Sequence, residues 1–287
     1  MKHFFIITNE QKDKELALTK KIQDVIVSGG GTCSYILNKK VGHDGYVRLS
    51  ETDIPKKTEC ILVLGGDGTL IRAARDMVKK NIPLIGINMG HLGYLCEVES
   101  STVFSALEQL KEDKYTVENR MLLYGYTVQG KDPSVSHLAL NDVVIHCAGL
   151  HQIVNLIIYV NGEYLNTYSA DGIIVATPTG STGYSMSAGG PIVDPKANSI
   201  LITPISPHSL ISKSIVLSSD AEIVVEIGSR RLEQDEEVDV RFDGDSVVKL
   251  AVGDKVMISK ANANAKILKL STLSFFEILR KKMHGYT

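Results

Sequence analysis

Ile61-Leu62-Val63-Leu64-Gly65-Gly66-Asp67-Gly68-Thr69-Leu70 is the run on which the fold of this chain is decided. Four apolar residues in a row predict a strand buried on both faces, and the glycines after them predict a turn with bare backbone N–H groups. Helical spacing resumes at Thr69, so the turn opens a helix whose N-terminus favours negative charge. Strand, glycine turn and helix in that order form the repeating unit of a parallel α/β sheet. Neither G-x-G-x-x-G nor G-x-x-x-x-G-K-[ST] is present, so neither standard nucleotide fingerprint applies. Asp67 sets the turn apart: it places a carboxylate among three glycines at a strand end, where α/β proteins bind ligands. A lone Gly-Asp-Gly would read as a tight turn with Thr69 as a helix cap. Preceded by four apolar residues, the same motif reads as a site that a phosphate can approach.

Outward from this run the same alternation continues. His3 to Thr8 is strand-like, Leu18, Ile22, Val25 and Ile26 share one helical face that Gly29-Gly30-Gly31 stops, and Thr32 to Leu37 is strand-like again. Thr69 to Lys80 and Ser101 to Lys111 read as helices, with Pro83 to Asn88 a strand between them. Residues 1–120 are therefore expected to form an α/β domain, a Rossmann-like, doubly wound parallel sheet. Residues 121–268 read as a β-rich domain, with strands at 138–146, 153–160, 172–176, 215–217, 222–227, 236–242, 246–250, 255–259 and 265–270, after one at 115–129. Asn161-Gly162 and Asp243-Gly244 suit two-residue hairpin turns. Residues 269–287 carry an amphipathic helix around Phe275 to Met283. The charged run Arg230 to Glu237 is best read as a solvated hairpin.

Composition narrows the function classes. In 287 residues, 31 Lys+Arg against 33 Asp+Glu leave a formal charge of -2, which offers no strong field for a nucleic-acid backbone. No stretch approaches the roughly 20 apolar residues of a membrane helix, and the start resembles no signal peptide; a cytoplasmic protein with neither nucleic-acid nor membrane partner is expected. Cys33, Cys60, Cys96 and Cys147 lie far apart and read as reduced core residues, and no histidine pair has zinc spacing.

A second informative stretch runs from Asp171 through Thr177-Pro178-Thr179-Gly180-Ser181-Thr182-Gly183-Tyr184-Ser185-Met186-Ser187 to Pro191. A strand runs into clustered hydroxyls and one ring, a set able to hold a planar base. Thr-Pro, Tyr, Met and Ala within it argue against a flexible linker.

Both stretches, with Gly90-His91-Leu92-Gly93-Tyr94-Leu95, Asn141-Asp142 and Thr203 to Leu210, resemble the NAD kinase family over nearly the whole chain. The GGDGT element also resembles that of lipid kinases of the diacylglycerol type. The resemblance implies a two-domain architecture with a crevice between the domains, ATP and NAD as substrates, a divalent metal ion such as Mg2+ brought with ATP, and a homodimer or homotetramer. It implies that Asp67 accepts the proton of the 2'-hydroxyl of the adenosine ribose of NAD as that oxygen attacks the γ-phosphate of ATP, giving NADP. Gly65, Gly66, Gly68 and Thr69 would cradle phosphates; Arg72 would either reach a phosphate or remain a solvated helix charge. Asn141-Asp142 matches the family's Asn-Glu pair with an acid one methylene shorter, Asp171 corresponds to the acid near the nicotinamide, and Thr179, Thr182, Tyr184 and Ser187 line the adenine side. Gly183 stands where many relatives have Ala, Tyr94 where the ring is usually Phe, and Asp245 at a polar family position. A lipid kinase and a non-catalytic dinucleotide sensor are the alternatives; the hydroxyl-rich segment disfavours the first and the presence of Asp67 the second.

Overall fold

The structure, a computed structural model, describes residues 1–287 except 39, 42–44, 47–48, 91–92, 131, 134–135, 148–152, 209–212, 230–236, 272 and 284–287. His91 and Leu92, Ser209 and Leu210, and most of the charged run at 230–237 thus lie outside the described residues. The chain divides into two compact units, residues 1–120 with 264–287, and residues 121–263.

The first unit opens with β1 (His3–Thr8), α1 (Ala17–Ser28) and β2 (Thr32–Leu37). A small hairpin of β3 (Lys40–Val41) and β4 (Gly45–Tyr46) follows, then β5 (Cys60–Gly65), α2 (Asp67–Met77), β6 (Leu84–Asn88), β7 (Val98–Glu99) and α3 (Val103–Lys111). β1 pairs in parallel with β2 and β5, and β5 in parallel with β6, giving the order β6-β5-β1-β2. Apolar residues at every strand position are explained by cover on both faces. Phe4, Ile6, Leu62, Leu64, Ile85 and Ile87 pack with Ile22 and Ile26 of α1 and Leu107 and Leu110 of α3. α2 covers the opposite face, where the side chain of Leu70 comes within 2.9 Å of the position a Cβ on Gly86 would take.

The strand order has a direct bearing on ligand binding. From β1 the chain moves outward to β2 on one side, then returns to β5 and moves outward to β6 on the other. The reversal lies between β1 and β5, so the loops leaving their carboxyl ends stand side by side, the arrangement in which α/β sheets open a binding crevice. The amide of Asn9 donates to the carbonyl of Leu64 at 3.0 Å, extending the pairing one residue past β1. Asp13 then anchors the first turn of α1: its buried carboxylate accepts from the amides of Leu18 and Thr19 at 3.0 and 2.9 Å and from the Thr19 hydroxyl at 2.6 Å.

β8 (Thr116–Gln129) carries the chain into the second unit and β20 (Lys255–Lys269) returns it to the first, which closes with α5 (Phe275–Met283). Between them come β9 (Asp132–Pro133), β10 (His137–Ala139), β11 (Asp142–Cys147), β12 (Val154–Val160), β13 (Glu163–Ala170) and β14 (Gly172–Ala176). The single-turn α4 (Tyr184–Ser187), β15 (Ser199–Ile205), β16 (Ile215–Ser218), β17 (Ile223–Gly228), β18 (Val238–Phe242) and β19 (Asp245–Leu250) complete it. One antiparallel array runs β13-β12-β17-β20, the other β16-β15-β14-β11-β18-β19. Alternate residues of both, such as Leu156, Ile158, Val225 and Val256 from the first and Ile145, Ile173, Ile202 and Val240 from the second, meet in one core. Asn161 and Gly162 (φ 52° and 81°) and Asp243 and Gly244 (φ 52° and 75°) turn their hairpins with positive φ at both central positions.

Several strands differ from the sequence reading. β13 is missing from it because this edge strand is mostly exposed and carries polar residues. β15 is missing because Pro204 lies within it. The predicted strands at 255–259 and 265–270 are one strand, β20, joined through Lys260 to Asn264, whose small and polar residues hide the alternation. Conversely the single strand expected at 138–146 is two, broken at Leu140-Asn141.

Candidate active site

In the first unit the candidate residues gather at the carboxyl ends of β1, β5 and β6. Gly65 ends β5, and its carbonyl accepts from the amide of Met89 at 2.8 Å, tying the segment after β6 to the glycine turn. A Cβ on Gly65 would lie 2.5 Å from the hydroxyl of Thr69, so only glycine lets this buried threonine fold back on the turn. Gly66 caps α2, its carbonyl accepting from the amides of Thr69 and Leu70 at 2.9 and 3.1 Å. Gly68 is open except for Arg72, whose guanidinium nitrogens lie 3.8 and 4.0 Å from where a Cβ would stand.

Asp67 is the first residue of α2, where a negative charge is favoured by the helix N-terminus. The sequence reading has it on a bare turn; the structure gives it a close partner. Oδ2 accepts from the amide of Tyr94 at 2.6 Å, and Oδ1 from the amides of Leu95 and Cys96 at 3.2 and 3.0 Å. Segment 93–96 thus wraps the carboxylate in three backbone donors. A Cβ on Gly93 would lie 1.9 Å from Oδ1, so the wrap closes only because residue 93 has no side chain. A carboxylate has about four acceptor sites; the three amides fill most of them, and the Cys96 thiol also hydrogen-bonds the Asp67 side chain. Burial and the Asp67 charge push the Tyr94 phenol upward in pKa, and Lys282 Nζ stands 5.4 Å from its ring centroid. Burial, then Asp67, likewise raises the Cys96 thiol.

Lys12 is absent from the residues picked out by sequence. Its Nζ lies 3.1 Å from where a Cβ on Gly66 would be and 3.7 Å from that of Gly90. Three buried atoms around the same strand ends, Thr8 Oγ1, Asn38 Nδ2 and Asn88 Oδ1, have no hydrogen-bond partner among the described residues. Buried polar groups are normally satisfied, so this end of the sheet holds capacity for water or ligand.

In the second unit a separate cluster forms where β11, β14 and the β18–β19 turn meet. Gly180 approaches so closely that a Cβ would fall 2.1 Å from the carbonyl oxygen of Asn141, and a Cβ on Gly183 would lie 3.3 Å from Asn141 Nδ2 and 3.7 Å from Asp142 Oδ2. Asn141, Asp142 and Gly183 are thus neighbours, with Asn141 Oδ1 buried and unpartnered among the described residues. Asp142 is buried, and burial together with the adjacent Asp243 pushes its carboxyl up to about 7. Asp243, read from sequence only as a hairpin residue, accepts from the amides of Leu140, Asn141 and Asp142 at 2.8, 2.7 and 3.3 Å. Asp245 follows at the start of β19.

The hydroxyl-rich stretch divides into structural and available groups. The Thr177 hydroxyl donates to the Leu140 carbonyl at 2.6 Å, that of Ser181 to Pro178 at 2.7 Å, and that of Ser185 pairs with Thr203 at 3.1 Å, all buried. Thr179 is also buried, and Thr182 donates to its carbonyl at 3.3 Å. Tyr184 and Ser187, in α4, are exposed. Asp171 is exposed just before β14, at the end of that strand away from Thr177, roughly 20 Å off at the rise of a β-strand.

Residues 4–115 match the ATP-NAD kinase N-terminal domain and residues 140–270 the ATP-NAD kinase C-terminal domain. The NAD kinase of Agathobacter rectalis is 56% identical over 288 residues, covering 100% of both chains. The chain belongs to the ATP-NAD kinase family. A further ATP-NAD kinase relative, the NAD kinase of Lachnospira eligens, is 43% identical over 99% of this chain and 100% of its own. Among solved structures, yeast NADH kinase complexed with NADH superposes with a TM-score of 0.82 at 22% identity, covering 100% of this chain and 88% of that one. The NAD kinase of Archaeoglobus fulgidus in complex with ATP gives 0.78 at 23% identity, covering 99% and 100%. Both likenesses show the two-domain ATP-NAD kinase fold.

Proposed function

We propose that the chain transfers the γ-phosphoryl group of ATP to the 2'-hydroxyl of the adenosine ribose of NAD, giving NADP and ADP. The observation that carries this reading is the wrapped carboxylate of Asp67 on a glycine turn at the strand-order reversal. Oδ2, which accepts from one amide where Oδ1 accepts from two, is the oxygen placed to take a sugar hydroxyl. As the ribose oxygen forms its bond to the γ-phosphorus and the bond to ADP breaks, the hydroxyl proton passes to Asp67. Because the transition state of such transfers is loose, fixing the hydroxyl in line matters as much as basicity, and the three backbone donors hold the acceptor still.

Gly65, Gly66, Gly68 and Thr69 form the phosphate cradle in this proposal, and Arg72 lies one helical turn behind it. Asn141 and Asp142 hold polar groups of the dinucleotide, with Asp171 at its nicotinamide end, and Thr179, Thr182, Gly183, Tyr184 and Ser187 on the adenine side. The separation of Asp171 from the Asn141–Gly183 cluster along β14 supports an extended ligand with two ends. Tyr94 and Asp245 border the two clusters. The doubly wound, Rossmann-like description of the first unit is supported by its parallel strands and the helices on both faces.

Mg2+ is proposed to arrive with ATP. The carboxylate of the turn is already engaged by three amides, which fits an ion that keeps its waters and phosphate ligands. When bound, it would neutralise phosphate oxygens. A homodimer or homotetramer is supported by β13, an edge strand with Tyr164 61% exposed. A cytoplasmic location is supported by four free cysteines; no helix among the described residues is long and apolar enough to cross a membrane. Incubation with ATP, Mg2+ and NAD, with NADP read by a coupled dehydrogenase, tests the reading. Steady NADP formation is expected; none, with robust phosphorylation of a diacylglycerol, would replace it by the lipid-kinase reading.

A further inference from the structure

We infer that Lys12 is a further binding residue of this site, its ammonium holding the triphosphate of the nucleotide donor against the glycine turn. The inference rests on the phosphoryl transfer proposed above and adds a residue to it. It begins with strand order. Because the sheet reverses between β1 and β5, the loop after β1 is the one that faces the turn Gly66-Asp67-Gly68 across the crevice. A side chain from that loop can reach whatever the turn cradles.

The loop is built to fix one residue there. The carbonyl of Asn9 accepts from the amides of Lys12 and Asp13 at 3.0 and 2.9 Å, and the Asn9 side chain accepts from the amide of Gln11 at 3.0 Å. Asp13, four residues before α1, is tied to the first turn of that helix by its three bonds from Leu18 and Thr19. The backbone of Lys12 is therefore held on both sides while its side chain is exposed. That side chain lies over the glycines, with Nζ 3.1 Å from the vacant Cβ position of Gly66 and 3.7 Å from that of Gly90.

Charge points the same way. A triphosphate brings several negative charges to a turn that already carries the Asp67 carboxylate, so binding there calls for a cation close by. Lys269, which with Lys12 and Asp67 acts on Cys96, is held by Glu97 at 3.3 Å. Arg72 stands beside Gly68, its guanidinium nitrogens 3.8 and 4.0 Å from where a Cβ there would be. Among the described residues no carboxylate lies within ion-pair distance of Lys12. An unpaired ammonium on a fixed backbone is a point charge suited to phosphate oxygens.

The test compares Lys12→Met and Lys12→Arg with the wild-type chain. Loss of a charge-assisted bond to phosphate corresponds to a factor on the order of ten to a hundred. For Lys12→Met we expect the KM for ATP to rise about tenfold or more while the KM for NAD stays within twofold, and Lys12→Arg to recover most of the loss. An unchanged KM for ATP would overturn the inference, and so would an equal rise in both KM values, which would show that the ammonium does not act selectively on the triphosphate. Calorimetric titration with ATP and Mg2+ alone separates this from the catalytic reading. If the wild-type chain forms no NADP, weaker ATP binding by Lys12→Met still supports the inference and equal binding still overturns it.

Discussion

Replacing Gly93 by Ala separates the wrapped-carboxylate account from a reading in which Asp67 is simply an exposed acid. The added methyl would lie 1.9 Å from Asp67 Oδ1, 2.4 Å from Cγ and 2.6 Å from Oδ2, whereas real Cβ contacts essentially never fall below 3.0 Å. Segment 93–96 or the carboxylate must therefore move by about 1 Å, and the bonds from Tyr94, Leu95 and Cys96 cannot all survive. A displacement of about 1 Å at a reacting group costs on the order of a hundredfold in rate. Asp67 is half-buried, so water replaces part of what the amides supplied, and stability should fall by only about 1–2 kcal/mol. The variant should therefore fold, with a urea midpoint modestly lowered and kcat for NADP formation down by about two orders of magnitude. Gly66→Ala is the control for folding, because its methyl meets only the mobile end of Lys12 at 3.1 Å. A Gly93→Ala enzyme with kcat within twofold of wild type would refute the reasoning.

Other expectations follow from the second unit. Asp142 has its carboxyl raised from 3.8 to about 7 by burial and Asp243, so between those values the folded chain holds a proton that the unfolded chain has lost. Stability should fall as pH rises from about 4 to 7, by up to about 4 kcal/mol. Asp142→Asn should remove that slope in urea unfolding at pH 5 and 8, and parallel behaviour of the two proteins would sink the assignment. Gly180→Ala should disrupt the fold of this unit, since its methyl would lie 2.1 Å from a backbone oxygen that cannot yield, while Gly183→Ala, whose methyl would lie no nearer than 3.2 Å from the Gly180 carbonyl oxygen and 3.3 Å from Asn141 Nδ2, should cost less than about 1 kcal/mol. Equal melting temperatures for the two alanine variants would contradict the close approach of segment 180–183 to Asn141.

Legibility followed burial and locality. The strands of the first unit are covered on both faces and so are written as unbroken apolar runs, and the glycine turn with its acid is contiguous, which made β5, α2 and Asp67 readable. β13 escaped because an exposed edge strand needs no apolar alternation. The site residues that escaped depend on neighbours far away in the chain. Asp243 matters because β18 pairs with β11, bringing it to amides about a hundred residues earlier. Lys12 matters because β1 lies beside β5; by composition it is one of 31 Lys and Arg. Gly93 carried no signal of its own, since its need for a missing side chain arises only against Asp67. Within the hydroxyl-rich stretch, the structural part of Thr177, Ser181 and Ser185, whose hydroxyls hold the segment in shape, could not be read from sequence because their partners are set by the fold.

The most direct test of the central claim is the turnover of Asp67→Asn beside its affinity for NAD. The amide keeps the size of the side chain but gives up the charge that takes the proton. The account predicts that kcat falls on the order of a hundredfold or more while NAD binding, measured by titration, changes by no more than a few-fold. NADP formation at the wild-type rate by this variant would contradict it.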